Sequence, residues 1–243
     1  PSVVDLLIKN EYINVNYQSP GSGLSAIILA TLTKDQQILS LLVSEPKVDV
    51  NSVDKGKSSS LHFASFLNNS QSINILLTRK DIRTNEQNKE GLTPLCIAAK
   101  YDKKQALGCL MNDSRIDVNC CELKMNNSPL HIAVNYCNVD IVTYLLNDER
   151  VDVNIKSEIG ISPLYLAVLK KICPIVKVMI GYGRINVNDT NGPHSNTALH
   201  ETASNGNYNI ALMLLSRSEI DVNCRNELDK TPLFIAVEKD NKE

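Results

Sequence analysis

The chain lacks the features by which most protein chemistry announces itself. Its 243 residues hold no G-x-S-x-G elbow, no glycine-rich phosphate loop and no paired carboxylates in an otherwise apolar segment. That removes the signatures of serine hydrolysis, phosphate cradling and two-carboxylate acid–base work. Charge of one sign is scarce too: the net charge of −2 and pI near 6.1 supply no basic field for nucleic acid or anionic lipid. The longest apolar stretch, Leu24 to Leu32, is too short to cross a bilayer. The seven cysteines are odd in number, scattered, and never spaced C-x-x-C. A zinc site is therefore not expected, and reduced thiols in a cytoplasmic protein are. The expectation from these absences is a chain with no enzyme activity, cofactor, metal, nucleic-acid partner or membrane insertion.

What the chain has instead is an echo. The tails I-N-V-N, V-D-V-N, I-R-T-N, I-D-V-N, V-D-V-N, I-N-V-N and I-D-V-N end at Asn16, Asn51, Asn85, Asn119, Asn154, Asn188 and Asn223, spaced 35, 34, 34, 35, 34 and 35 residues apart. A second marker, Ile27, Leu61, Leu95, Leu130, Leu164, Leu199 and Leu233, keeps the same pace. From each of the first six to the following Asn is always 24 residues, whereas the step from Asn to the next marker is 10 or 11. All length variation sits between Asn and the marker. A segment that tolerates insertion is exposed, and one fixed to the residue packs against copies of itself. Repetition at this period denotes stacked supersecondary units, none able to bury its own apolar face alone.

The constant stretch is helical twice over. Leu130, Ala133 and Val134, like Leu164, Ala167 and Val168, follow the spacing of one helix face. A small residue recurs three places after each marker (Ala30, Ala64, Ala98, Ala133, Ala167, Thr202 and Ala236), which lets neighbouring helices approach closely. A second helix follows, with Ile141, Val142, Leu145 and Leu146 in one unit and Ile175, Val176, Met179 and Ile180 in the next. At the N-terminal end Val3, Val4, Leu7 and Ile8 read as the matching inward set. The three histidines at whole-repeat spacing, His62, His131 and His200, are expected to bond structurally into the adjacent finger rather than hold a metal.

The segments Thr93–Ala99 (T-P-L-C-I-A-A), Ser128–Val134 (S-P-L-H-I-A-V), Ser162–Val168 (S-P-L-Y-L-A-V), Thr197–Ala203 (T-A-L-H-E-T-A) and Thr231–Val237 (T-P-L-F-I-A-V) resemble the T-P-L-H-x-A signature of ankyrin repeats. The physics agrees, because Ser and Thr hydroxyls satisfy orphan N–H groups at a helix start and Pro is preset for the first helical position. The resemblance implies an all-α-dominated ankyrin-repeat solenoid, built of helix–turn–helix units with β-hairpin fingers. Residues 1–243 form one array: partial unit 1–16, units 17–51, 52–85, 86–119, 120–154, 155–188 and 189–223, and partial unit 224–243. Departures from the family pattern are expected to matter. The glycine pair often found after the second helix is replaced by stretches such as Asn147–Arg150, and the starts at Ser25 and Ser59 lack Pro and should be looser. Both ends fall inside a unit, so an excerpt of a longer polypeptide is expected.

The same resemblance implies a non-catalytic interaction module or scaffold, monomeric, that binds a protein partner along its concave groove and fingers. The alternative is a regulatory ankyrin segment of a larger enzyme or channel that contacts its own polypeptide. In ankyrin-like units the groove is lined by the finger before T-P-L-H and by the end of the first helix. Carried onto this sequence, those positions give Phe66, Leu92, Tyr101, Met125, Tyr136, Ile159, Ile161 and Leu228 as candidate partner-binding residues. Apolar and aromatic side chains on a protruding finger suggest contact surface.

Overall fold

The computed structural model describes residues 3–240, and in it the repeat becomes an alternation of short helices. They are α1 (Val3–Lys9), α2 (Ala26–Leu32), α3 (Gln36–Ser44), α4 (Ser60–Phe66), α5 (Ser70–Leu77), α6 (Pro94–Lys100), α7 (Lys104–Met111), α8 (Pro129–Asn135), α9 (Val139–Leu146), α10 (Pro163–Leu169), α11 (Cys173–Ile180), α12 (Ala198–Asn205), α13 (Tyr208–Leu215) and α14 (Pro232–Glu238). The chain divides into two compact units, one ending at Leu123 and one starting at Lys124. In the first, α2, α4 and α6 pack in one row and α1, α3, α5 and α7 in another. In the second, α8, α10, α12 and α14 form one row and α9, α11 and α13 the other. The shared layer between rows is the core. The small residues predicted to permit close approach are buried where repeats flank them, with Ala64, Ala98, Ala133 and Ala167 wholly so. Of the proposed inward set on α1 only Ile8 is buried, whereas Val3 and Leu7 are exposed; Val4, Leu7 and Ile8 line an open apolar cavity with Leu29 and Ala30 of α2.

Within each unit the recurrent asparagine ties one repeat to the next. Asn51 donates from Nδ2 to the Asp81 carbonyl at 2.9 Å and accepts on Oδ1 from the Arg83 N–H at 2.8 Å. Asn16 does the same to Lys47 and Asp49, Asn85 to Arg115 and Asp117, Asn154 to Arg184 and Asn186, and Asn188 to Glu219 and Asp221. The residue two places before the Asn closes the turn that aims it: Asp49, Asp117, Asp152 and Asp221 each accept from the Asn N–H. The D-x-N tail is thus an Asx-turn carrying a two-point staple.

Arginines supply what the missing glycines would have done. The last carbonyls of a helix need donors, and guanidinium groups from the following repeat provide them. Arg79 donates to the Val43 and Glu45 carbonyls, Arg115 to Leu77 and Arg79, Arg184 to Leu146 and Val151, and Arg217 to Ile180. A carboxylate two residues away holds three of them in place: Asp81 for Arg79, Asp113 for Arg115 and Glu219 for Arg217.

The fingers depart from the β-hairpins expected. Among the described residues only single bridges form, Gln18 with Ser25, Val53 with Ser59 and Asn191 with Asn196. Elsewhere one bond closes a tight turn, as from the Asn88 N–H to the Leu92 carbonyl at 3.0 Å. Five-residue loops are too short for a ladder, so the fingers pair sideways instead. Lys55 N–H reaches the Ser22 carbonyl and Lys89 N–H the Gly56 carbonyl, and in the second unit Glu158 N–H reaches Met125, Gly192 N–H reaches Gly160 and Glu227 N–H reaches His194.

Each first helix ends on a left-handed residue, Lys34, Asn68, Asp102, Cys137, Lys171, Gly206 or Asp240, with φ between 52° and 64°. After the first six of these the following N–H bonds back to the carbonyl of the small residue, as from Asn69 to Ala64 at 2.9 Å. Only Gly206 suits that conformation without cost. Replacing Lys34 by Gly should raise unfolding free energy by up to about 1 kcal/mol, the left-handed penalty of about 1–2 kcal/mol less the backbone entropy of glycine. Gly206→Ala should lower it by a similar amount. Equilibrium urea unfolding of both variants checks the opposite signs.

Candidate functional site

The three repeat histidines are consumed by structure. Their Nδ1 atoms accept from the N–H of the N-cap residue three places earlier: Ser59 to His62 at 3.1 Å, Ser128 to His131 at 3.3 Å and Thr197 to His200 at 3.2 Å. A backbone N–H can only donate, so the proton of the neutral ring sits on Nε2. Each Nε2 donates 30 residues onward, to the Leu92, Ile161 and Lys230 carbonyls at 3.1, 2.8 and 2.9 Å. The imidazole therefore locks a helix start to the next finger, as the spacing predicted. Repeats without His fill the place otherwise. Cys96 lies against the Cys120 carbonyl, and burial pushes its thiol up to about 12. Tyr165 donates to Glu201 at 2.9 Å, and burial pushes its phenol well up. Phe234 stays exposed beneath the Lys230 ammonium. The Ser25 hydroxyl caps nothing and pairs with Ser52 at 2.7 Å, as expected of a looser start, while Ser59 is rescued by His62.

With the framework accounted for, the surface side chains separate into groups. Phe66 ends α4 and Tyr101 caps α6, and their rings meet edge to face with centroids 5.1 Å apart. They remain 47% and 40% exposed. Between them and the finger lies a cavity of about 220 Å³, whose lining includes Ser58, Leu92, Ile97 and Glu90. Lys100 pairs with Glu90 at 3.0 Å and lies 5.1 Å from the Tyr101 ring centroid. Leu92 corrects the sequence-based expectation of a presented side chain. It is 7% exposed, because its carbonyl is bound to His62 and its side chain is drawn beneath the finger. It forms floor rather than contact surface.

In the second unit Met125 and Ile159 sit on adjoining fingers joined by the Glu158–Met125 backbone bond and are 44% and 53% exposed. Tyr136 caps α8 and is 49% exposed, while Ile161 is half-buried with its carbonyl held by His131. Leu228, 56% exposed, stands apart, since the polar finger Asn191–Asn196 intervenes. Sequence reasoning missed Ile97 and the Glu90–Lys100 pair. The ten-residue step from finger to helix end that joins Glu90 to Lys100 was the available signal.

The geometry can be compared with known proteins. The family model for ankyrin repeats (3 copies) matches residues 61–157 and 164–243. The chain belongs to the ankyrin-repeat family. Among solved structures this ankyrin chain is similar to the ankyrin repeat domain of Bcl-3, described as a unique member of the IkappaB protein family, at 21% identity and a TM-score of 0.81, covering 88% of this chain and 94% of that one. It is also similar to the human ASB11 ankyrin repeat domain at 24% identity and a TM-score of 0.64, covering 88% of this chain and 92% of that one. No curated protein matches it in sequence. At such identities the likeness speaks for the fold alone.

Burial lowers the pKa of His62 and His131 below that of a free imidazole. The folded chain thus resists protons that the unfolded chain accepts below about pH 6.5, so stability is complete above that value and falls as pH drops through it. The loss should approach about 1.4 kcal/mol per pH unit for each histidine. Carboxylates lowered by arginine, such as Asp81 and Asp113, lose their contribution in the more acidic carboxylate range. Urea unfolding from about pH 7 to about pH 5 should show the decline, and His131→Gln, which keeps a capping side chain, should remove the share of one histidine from it.

Proposed function

We propose that the chain is a non-catalytic recognition module that binds a partner protein through exposed apolar side chains at the finger–helix edge. Ankyrin repeats are in general protein–protein interaction modules, and nothing in the framework competes with that use. One observation carries the reading: the half-exposed Phe66–Tyr101 pair beside a cavity with Leu92 in its lining. Two aromatic rings held together at the surface by rigid helix ends offer apolar area at low entropic cost, the composition in which hot spots are enriched. The three histidines most suggestive of chemistry have both ring nitrogens engaged. All seven cysteines are unpaired, which supports a reducing, intracellular setting.

The test compares partners retained by the wild-type chain with those retained by Phe66→Ala, Tyr101→Ala and the control Tyr144→Ala, an exposed side chain on the second helix α9. A partner held by wild type and control should bind each groove variant about 1–3 kcal/mol more weakly. Unfolding free energy should change by no more than about 1 kcal/mol, the worth of the aromatic pair. Equal retention by all four chains would overturn the proposal.

A further inference from the structure

The fingers beside the Phe66–Tyr101 cavity carry three lysines with no acidic partner. Lys55 and Lys57 flank Gly56 at the tip of one finger, and Lys89 lies between the lining residues Asn88 and Glu90 on the next. The two tips are joined by the bond from Lys89 N–H to the Gly56 carbonyl at 2.8 Å. All three side chains are exposed, and none forms an ion pair among the described residues. Of the nearby carboxylates, Glu86 and Glu90 pair with Arg83 and Lys100, and Asp54 keeps its charge. Glu90 holds Lys100 at 3.0 Å, and Asp54 turns inward to accept from the Ser58 N–H at 2.7 Å. The result is an apolar, aromatic-edged cavity with a net positive rim, three unpaired lysines against the one unpaired carboxylate of Asp54.

Resting on the reading of the chain as a protein-binding module, we infer that this cavity receives a large apolar side chain from an acidic, extended segment of the partner, whose flanking carboxylates meet Lys55, Lys57 and Lys89. Charge on a rim steers encounter and selects partners, while the desolvated anchor supplies most of the affinity. The chemistry favours peptide over single-stranded nucleic acid. Phe66 and Tyr101 stand at 86° to each other, so they give no parallel platform for successive bases. The rim cations are lysines, which act as point charges, rather than arginines forked for phosphate.

The experiment uses the whole chain and fluorescence anisotropy with a labelled peptide that has one central Phe flanked on both sides by Asp and Glu. Its counterparts replace the Phe by Ser or the acids by Lys, and a single-stranded oligouridylate serves as the other polyanion. The acidic Phe peptide should bind, weaken with salt, and exceed each counterpart. The triple variant Lys55→Ala, Lys57→Ala, Lys89→Ala should lower its affinity about ten-fold, from three exposed charge pairs of modest strength. Thermal unfolding should be unchanged, and Tyr101→Ala should abolish discrimination between Phe and Ser peptides. Equal binding of the Lys peptide, tighter binding of the oligouridylate, or no loss in the triple variant would overturn the inference. Failure of every peptide, with Tyr101→Ala still losing captured partners, would refute the acidic segment and leave the interaction module standing.

Discussion

At five places a repeat is fastened to the next by one primary amide that faces two backbone groups at once. An Asn side chain presents a donor and an acceptor at fixed separation, which matches a carbonyl and an N–H two residues apart on an extended segment. Aspartate would repel the carbonyl, and glutamine would place its amide one methylene farther out. That geometric demand explains why the residue recurs at Asn16, Asn51, Asn85, Asn154 and Asn188 with the same pair of targets. It also explains the constant 24-residue distance to the helix marker. An insertion within that 24-residue stretch would carry the targets away from the amide, whereas the finger absorbs the extra residue between Asn16 and Lys47.

Apolar burial and the polar staples divide the labour. Leucine, isoleucine and alanine between the helix rows provide the cohesive energy, but burial is non-directional and would tolerate sliding of one repeat over another. Hydrogen bonds from Asn and His fix the register, because a displaced repeat would leave a half-buried amide or imidazole unpaired at a cost of about 1–3 kcal/mol each. The arginines extend the same logic to helix ends. Where a glycine would end the helix by backbone conformation alone, Arg79, Arg115, Arg184 and Arg217 end it by donating across the repeat boundary. Termination and adhesion thereby become one interaction.

Most of this framework was legible in the residues. Period, helix faces, Pro and Ser/Thr helix starts and the role of the histidines follow from spacing, because each is imposed by a contact repeated in identical surroundings. The arginine caps were not legible. Arg79 and Arg217 lie six residues before their Asn and Arg115 and Arg184 four, so they share targets without sharing register, and length and flexibility let both reach. The candidate surface was legible only in part. Phe66 and Tyr101 were found from their positions at helix ends, yet nothing in the sequence distinguished Leu92, drawn under its finger, from Ile159, left outside. Exposure at a finger depends on how its neighbour folds over it, which the pattern of a single repeat does not contain.

The staple can be isolated because, among the described residues, one copy makes only its own turn. Asn223 has the same Asx-turn as the others, but its side chain meets no following repeat among the described residues. Equilibrium unfolding of Asn51→Ala, Asn188→Ala and Asn223→Ala therefore measures the interaction against its own background. The first two should each lose about 2 kcal/mol, two hydrogen bonds at about 1 kcal/mol apiece, and Asn223→Ala should lose less than about 0.5 kcal/mol. Equal losses at all three positions would show that the asparagine serves its own turn rather than its neighbour, and would contradict the role assigned to it.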